Sequence, residues 1–321
     1  MADGSTIGID LGGTQLRVAA IDAAGRILDR RAAPVDRAGG VRAVIGQMEA
    51  LIAAVRRPDT AVVGIGVPGA FDPGRGLVLD IPALAGWTAI PLAAEIEVRT
   101  GLPAVLENDA KVAALGEWRF GAGRGIADFA YLTISTGIGG AFVVGNRLVR
   151  GYRGLAGEVG HTRITDRSAT CSCGHEGCWE AVASGTALAR AARTAVERHP
   201  ASQLAASAAG APATGEIVTR AAREGCPVAL SLLGEEAAWL AAGLVNVQHA
   251  FAPERVVLGG GVSNALDLML GDIRAAMRRR LLPGHEVPDI AASRLRDDAG
   301  LLGAAVRAQE WLHETERSPV A

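Results

Sequence analysis

His161, Cys171, Cys173 and Cys178 bring one imidazole and three thiols into a stretch of eighteen residues. One nitrogen and three thiolates fill a tetrahedral zinc site and leave no position for substrate, so the metal expected there is structural. Gly174 and Gly177 permit the tight backbone that the last two sulfurs require. Reduced thiols in a surface loop, or a disulfide, are the plainer alternatives, but Cys-x-Cys-x4-Cys is crowded for ordinary packing. His175 lies inside the same loop and is a rival ligand. Glu158 and Glu180 bracket the cluster, and a bound metal would fix both carboxylates in space.

Three glycine-rich turns offer a second chemistry. Asp10-x-Gly12-Gly13-Thr14, Thr136-Gly137-Ile138-Gly139-Gly140 and Gly259-Gly260-Gly261 each follow an apolar run that reads as a strand. Paired glycines let the backbone approach a phosphate, and Thr14 and Thr136 add hydroxyl donors. An aspartate such as Asp10 would repel a phosphate unless a divalent cation lay between them. A single turn of this kind could be an ordinary hairpin; three in one chain point to a nucleotide. Gly64-x-Gly66-x-x-Gly69 has the dinucleotide spacing, yet Pro68, Gly69, Asp72, Pro73 and Gly74 dictate a loop where that motif must open a helix. The Gly69 amide could still line a ligand pocket. A Walker-type loop is excluded because Lys111, the only lysine, follows Ala110 rather than a glycine.

A third group is Glu107-Asn108-Asp109, at the end of the apolar run 102–106 and before a helix through Ala113, Leu115 and Trp118. Asp109 occupies an N-cap position. It is also a carboxylate at the carboxyl end of a strand, the edge where open α/β sheets bind ligands, with Asn108 beside it to orient a hydroxyl-rich molecule.

The elements that must carry these groups repeat. Strands are expected over 5–10, 16–21 and 26–31, forming a meander, then a helix over 41–55, a buried strand over 61–67, and a strand over 102–106. Residues 121–125 read as a flexible hinge. The meander recurs at 129–135, 141–144 and 147–149, so the fold is duplicated. Helices are expected over 184–198, 216–224, 229–247 and 301–312, a strand over 255–258, a mobile loop over 199–215, and a frayed tail from Thr315. Cys226 reads as a buried thiol. Two domains follow: a small N-terminal α/β domain over 1–120, to which a helix at 301–314 returns, and a larger α/β domain over 121–300 carrying the zinc loop.

Composition sets outer limits. A chain of 321 residues, 49% hydrophobic, can bury a large core. A net charge of −2 gives no general attraction to nucleic acid or to anionic membrane. No apolar run is expected to reach the length of a membrane span. Met1-Ala2-Asp3-Gly4-Ser5 lacks the features of a signal peptide, and clustered cysteines that suit a metal fit a reducing cytoplasm.

On these motifs the chain resembles the ROK family of sugar kinases and repressors, within the actin and hexokinase superfamily. Asp10 to Thr14 and Thr136 to Gly140 are similar to its two phosphate loops, Glu107-Asn108-Asp109 to its sugar and base motif, and Gly259-Gly260-Gly261 to its adenosine loop. Glu158-x-Gly160-His161 and Cys171-x-Cys173-Gly174-x-x-Gly177-Cys178-x-Glu180 match its two signatures. The resemblance implies two actin/RNase H-like α/β domains with an interdomain cleft, and ATP-dependent phosphorylation of a hexose, most often at carbon 6. It implies Asp109 as the base, with Asn108, Glu158, His161 and Glu180 on sugar hydroxyls. Asp10 would hold magnesium, while Gly12, Gly13, Thr14, Thr136, Gly137, Gly260 and Gly261 cradle the nucleotide. His161 would serve zinc with one ring nitrogen and the sugar with the other.

Glucose to glucose 6-phosphate is the expected reaction. Ala83 stands where glucose-directed members carry asparagine, so N-acetylmannosamine, N-acetylglucosamine and 3-amino-3-deoxyglucose remain rival substrates, and polyphosphate a rival donor. A sugar-sensing repressor would need a helix-turn-helix, for which a phosphate loop beginning within ten residues of Met1 is expected to leave no room. A homodimer or homotetramer is expected, with neither nucleic acid nor membrane as partner. Lys111, where asparagine is common, either tunes Asp109 or is a solvated helix residue.

Overall fold

The computed structural model describes residues 4–81 and 83–317. The expectations that fall on Met1, Ala2, Asp3 and Pro82, and on the tail over 318–321, lie outside the described residues. The chain forms two units. The first is built from residues up to Gly125, from Leu148–Ala156 and from Arg294 onward; the second from Ile126–Arg147 and Gly157–Ser293.

The first unit opens with the antiparallel meander β1 (Thr6–Leu11), β2 (Gln15–Ile21) and β3 (Ile27–Pro34). The amphipathic α1 (Gly40–Val55) turns Val44, Ile45, Met48, Ile52 and Val55 inward. β4 (Val62–Val67) then pairs parallel to β1. Its six residues are all buried, as a strand covered on both faces must be. The loop expected after Gly69 is instead a small antiparallel sheet, β5 (Ala70–Asp72), β6 (Leu77–Asp80) and β7 (Thr88–Ile90). Its strands are too short for periodicity to register. α2 (Leu92–Thr100) leads to β8 (Ala104–Asn108), which completes the order β3-β2-β1-β4-β8. α3 (Asp109–Phe120) follows directly.

The second unit repeats the plan. β9 (Phe129–Ile134), β10 (Ile138–Val144) and β11 (Arg147–Leu148) make the meander. After the loop that carries the cysteines come α4 (Trp179–Ala183), α5 (Gly185–Arg198), α6 (Gln203–Ala208), α7 (Gly215–Arg223) and α8 (Pro227–Phe251). α6 lies inside the stretch expected to be a mobile loop. Ser202 caps it, its hydroxyl accepting from the Ala205 amide at 3.2 Å. α8 is long and apolar enough to cross a membrane, contrary to the expectation from sequence, but more than half of its apolar window is buried inside the protein. β12 (Arg255–Gly259), α9 (Leu266–Arg278) and β13 (Asp289–Ala292) close the sheet in the order β11-β10-β9-β12-β13. β12 pairs parallel to both β9 and β13, just as β4 does to β1 and β8. The duplication is therefore real at the level of topology.

α10 (Ala299–Arg317) returns to the first unit and lies on β1, β4 and α3. Glycines make room for it. A Cβ at Gly8 would fall 2.1 Å from the Leu301 carbonyl oxygen, and one at Gly64 1.9 Å from that of Ala304. Gly64 and Gly66 thus serve helix-on-sheet packing inside a strand, and the dinucleotide reading of that stretch is excluded.

Candidate active site

The candidate metal-binding cluster is built by a short hairpin, with bridges at Arg163–Cys178 and Thr170–Glu176. Gly174 and Gly177 adopt left-handed backbone, φ +86° and +78°, which side-chain-bearing residues rarely adopt. The donor atoms of His161, Cys171, Cys173 and Cys178 all lie within 4.8 Å of one another. Cys173 Sγ is 3.8 Å from Cys178 Sγ, and His161 Nδ1 is 3.5 Å from Cys171 Sγ. Bonds of about 2.3 Å to sulfur and 2.0 Å to nitrogen in a tetrahedron give edges of about 3.8 and 3.5 Å, so the donors fit zinc. Hydrogen bonding from the His175 backbone pulls the Cys173 thiol down to about 6, whereas burial pushes Cys178 up to about 12. A cation would be needed to hold all three as thiolates. His175 also approaches, with Nδ1 3.5 Å from Cys173 Sγ.

Glu180, on the first turn of α4, joins this loop to the β9–β10 turn. Oε1 accepts from Ser172 Oγ at 2.8 Å, and Oε2 accepts from the Ile138 amide at 3.0 Å. Gly137 is glycine for that reason. A Cβ there would lie 2.2 Å from Glu180 Oε2. Glu158 is exposed and precedes the 3₁₀ turn Val159–His161, its carbonyl oxygen accepting from the His161 amide at 3.1 Å.

Ser135, Thr136, Gly185, Arg193, Arg223 and Gly261 line a cavity of about 780 Å3 within the second unit. The Thr136 and Gly261 turns thus face one space. Gly260 requires its residue type, since φ is +80° and a Cβ would meet the Ile134 carbonyl oxygen at 2.4 Å. Arg223 is held by Asp267 through bonds of 2.9 and 2.8 Å.

In the first unit Asp10, next to last in β1, lies beside Arg17, whose Nη1 donates to Oδ2 at 3.2 Å. Burial pushes the Asp10 carboxyl above the usual carboxylate range, and the Arg17 charge opposes it. Gly12 and Gly13 form the following turn, where the Gly12 amide donates to the Gln15 carbonyl at 2.9 Å. Arg37 Nε donates to the Gly13 carbonyl oxygen at 2.6 Å. Thr14 is exposed. Gly69 sits in the β4–β5 turn with φ +81°, where a Cβ would meet the Asp80 carbonyl oxygen at 2.4 Å.

The helix after β8 is capped by Asn108 and not by Asp109. Asn108 Oδ1 accepts from the Lys111 amide at 3.2 Å, while Asp109 is the first helical residue and accepts from the Ala110 amide at 2.8 Å. The capping role considered for Asp109 therefore belongs to its neighbour.

A model of the ROK family matches residues 6–310. The chain belongs to the ROK family. It is similar to a glucokinase of Streptomyces coelicolor, 38% identical over 314 residues, 96% of this chain and 98% of that protein. It is 35% identical to an N-acetylmannosamine kinase of Salmonella heidelberg over 305 residues, 95% and 98% of the two chains. The crystal structure of a ROK family glucokinase from Streptomyces griseus in complex with glucose and AMPPNP matches with a TM-score of 0.83 and 39% identity, covering 96% of this chain and 100% of that one. The α/β architecture is that of the ROK glucokinases.

Three groups of this ROK chain have contacts that the sequence reading did not give them. Glu107, only 2% exposed, accepts from Arg150 Nε at 2.9 Å and, through Oε1, from the Asn108 amide at 3.1 Å. It positions Asn108 from behind. Lys111 is buried at 1% exposure and donates to the Gly154 carbonyl at 2.9 Å, which rules out a solvated helix residue. Arg37 was lost among many arginines, because its spacing from Gly13 carries no signal.

Proposed function

We propose that this chain transfers the γ-phosphoryl group of ATP to a hexose hydroxyl, converting glucose to glucose 6-phosphate. The observation that carries the reading is Asp109, a half-buried carboxylate at the carboxyl end of β8 relieved of capping by Asn108. Full-length similarity to proteins named glucokinase supports it.

Asp109 takes the proton of the attacking hydroxyl as that oxygen bonds to phosphorus, and the bond to the leaving ADP oxygen breaks. Asn108, Glu158, His161 and Glu180 hold the remaining hydroxyls. Gly12, Gly13, Thr14, Thr136 and Gly137 accommodate the phosphates, and Gly260 and Gly261 the adenosine side of the 780 Å3 cavity. Asp10 would hold magnesium, which supplies charge neutralisation at the phosphates. Zinc, held by His161, Cys171, Cys173 and Cys178, would brace the loop that ends in Glu180. The reduced thiols suit a cytoplasmic enzyme.

The second reading is a kinase for N-acetylmannosamine or another amino hexose. Ala83, which offers no polar side chain, and the similarity to N-acetylmannosamine kinases favour it. A coupled ADP-release assay over glucose, N-acetylmannosamine, N-acetylglucosamine and 3-amino-3-deoxyglucose separates the two. Glucose is expected to give the highest kcat/KM. A higher value for any amino hexose selects the second reading, and no turnover with any sugar overturns both.

A further inference from the structure

A second cavity, of about 680 Å3, lies on the other side of α5 from the one described above. α5 and α8 wall it, together with the loop at Arg167, and it shares no glycine turn with the first. Such a volume suits a small organic ligand.

At its wall stands Glu236, in the middle of α8 and 3% exposed. Its Oε1 has no hydrogen-bond partner among the described residues. A buried carboxyl left so is costly, and alanine or leucine at that helix position would serve packing better. Burial pushes its acidity to about 8, so at neutral pH it is largely a carboxylic acid, able both to donate and to accept a hydrogen bond.

The surroundings are of opposite character. Arg167, Arg190 and Arg198 line the same cavity, together with Glu235. Arg190 is fixed by donating to the Ala181 carbonyl oxygen at 2.6 Å. Arg167 is stacked over Trp239, its guanidinium carbon 5.0 Å from the ring centroid. Two of the three guanidinium groups are therefore already oriented, which suits recognition of an anionic group. A neutral carboxyl and three arginines lining one cavity call for a ligand with a hydroxyl and an anion.

We propose that this groove between α5 and α8 binds a small polyol bearing a phosphate or carboxylate, its hydroxyl on Glu236 and its anion on the arginines. Binding in this groove requires neither ATP nor phosphoryl transfer.

Isothermal titration calorimetry with glucose 6-phosphate, gluconate and neutral glucose tests it on the full chain. At least one anionic polyol is expected to bind saturably. Glu236→Leu and Arg198→Ala should each weaken that binding about tenfold, the loss expected for one hydrogen bond to a charged or buried group, while Glu236→Gln stays close to wild type. Arg198 is exposed at the end of α5, so its variant keeps the test standing if Glu236→Leu fails to fold. If glucose 6-phosphate alone passes, the anion is phosphate; if gluconate alone passes, it is carboxylate. No saturable binding of either anion overturns the proposal, as does binding that survives both variants or variant-sensitive binding of glucose of equal strength. Hexokinase turnover is not read in this experiment, so the two proposals fail separately.

Discussion

Lys111 Nζ donates to the carbonyl oxygen of Gly154 at 2.9 Å, two residues past the proposed base. The bond ties α3 to the segment Leu148–Ala156, which joins the first unit from the middle of the chain. Arg150 secures the same segment through Glu107 at 2.9 Å and Glu310 at 3.2 Å. Lys111→Met keeps the apolar stem but removes the donor to a buried carbonyl. It should cost about 1–3 kcal/mol of stability, read in urea denaturation. A variant as stable as wild type would show that the bond contributes nothing net.

Asp109→Asn should lower kcat at least about a hundredfold, the smallest effect usual for a general base. Sugar affinity by calorimetry should change only a few-fold, because the amide keeps the shape and one acceptor. Retained turnover would assign the proton to another group.

Purified protein should carry one zinc per chain by elemental analysis. Cys178→Ser, or chelation on warming, should lower Tm by several degrees, since a loss of about 1 kcal/mol is worth roughly 2–4 °C in a chain of this size. Activity should fall with it, because Glu180 is held by Ser172 inside the metal loop at 2.8 Å. Unchanged Tm and activity in a metal-free preparation would remove zinc from the account.

Glu236 makes a pH prediction with a definite sign. Its folded-state value of about 8 stands above the ordinary 4.5. Below pH 4.5 both folded and unfolded chains carry the proton, and the site costs nothing in ionisation. Between pH 4.5 and about 8 the unfolded chain gives it up first, so this group makes stability fall as pH rises. The loss is at most about 5 kcal/mol at ~1.4 kcal/mol per pH unit. Glu236→Gln should be more stable than wild type at pH 8, with the gain vanishing toward pH 4.5. A gain of the same size at every pH would mean that Glu236 is not ionising in this way.

Much of the site was legible without coordinates because it is local chemistry. Cys171, Cys173 and Cys178 fall within eight residues, and the histidine ten residues upstream is the fourth donor that the fold brings within 4.8 Å of them. The glycine turns and the meander of each unit could be read for the same reason: a turn residue and its strand lie within a few positions of one another. The sequence likewise identified Cys226 as a buried thiol, and it is 1% exposed.

What only the tertiary structure decided depends on contacts across long stretches of chain. The cap of α3 belongs to Asn108, because Asp109 already has helical geometry. Gly137 is a glycine to admit the carboxylate of Glu180, 43 positions away, and Gly64 to admit the backbone of Ala304. The sole lysine has an interior partner in Gly154. α8 is apolar because other helices cover it. Glu236 reads as one more surface acid until the fold encloses it. Local spacing fixes which groups can meet within a loop, but which distant backbone atom fills the space beside a glycine or a buried charge is set only when the layers pack.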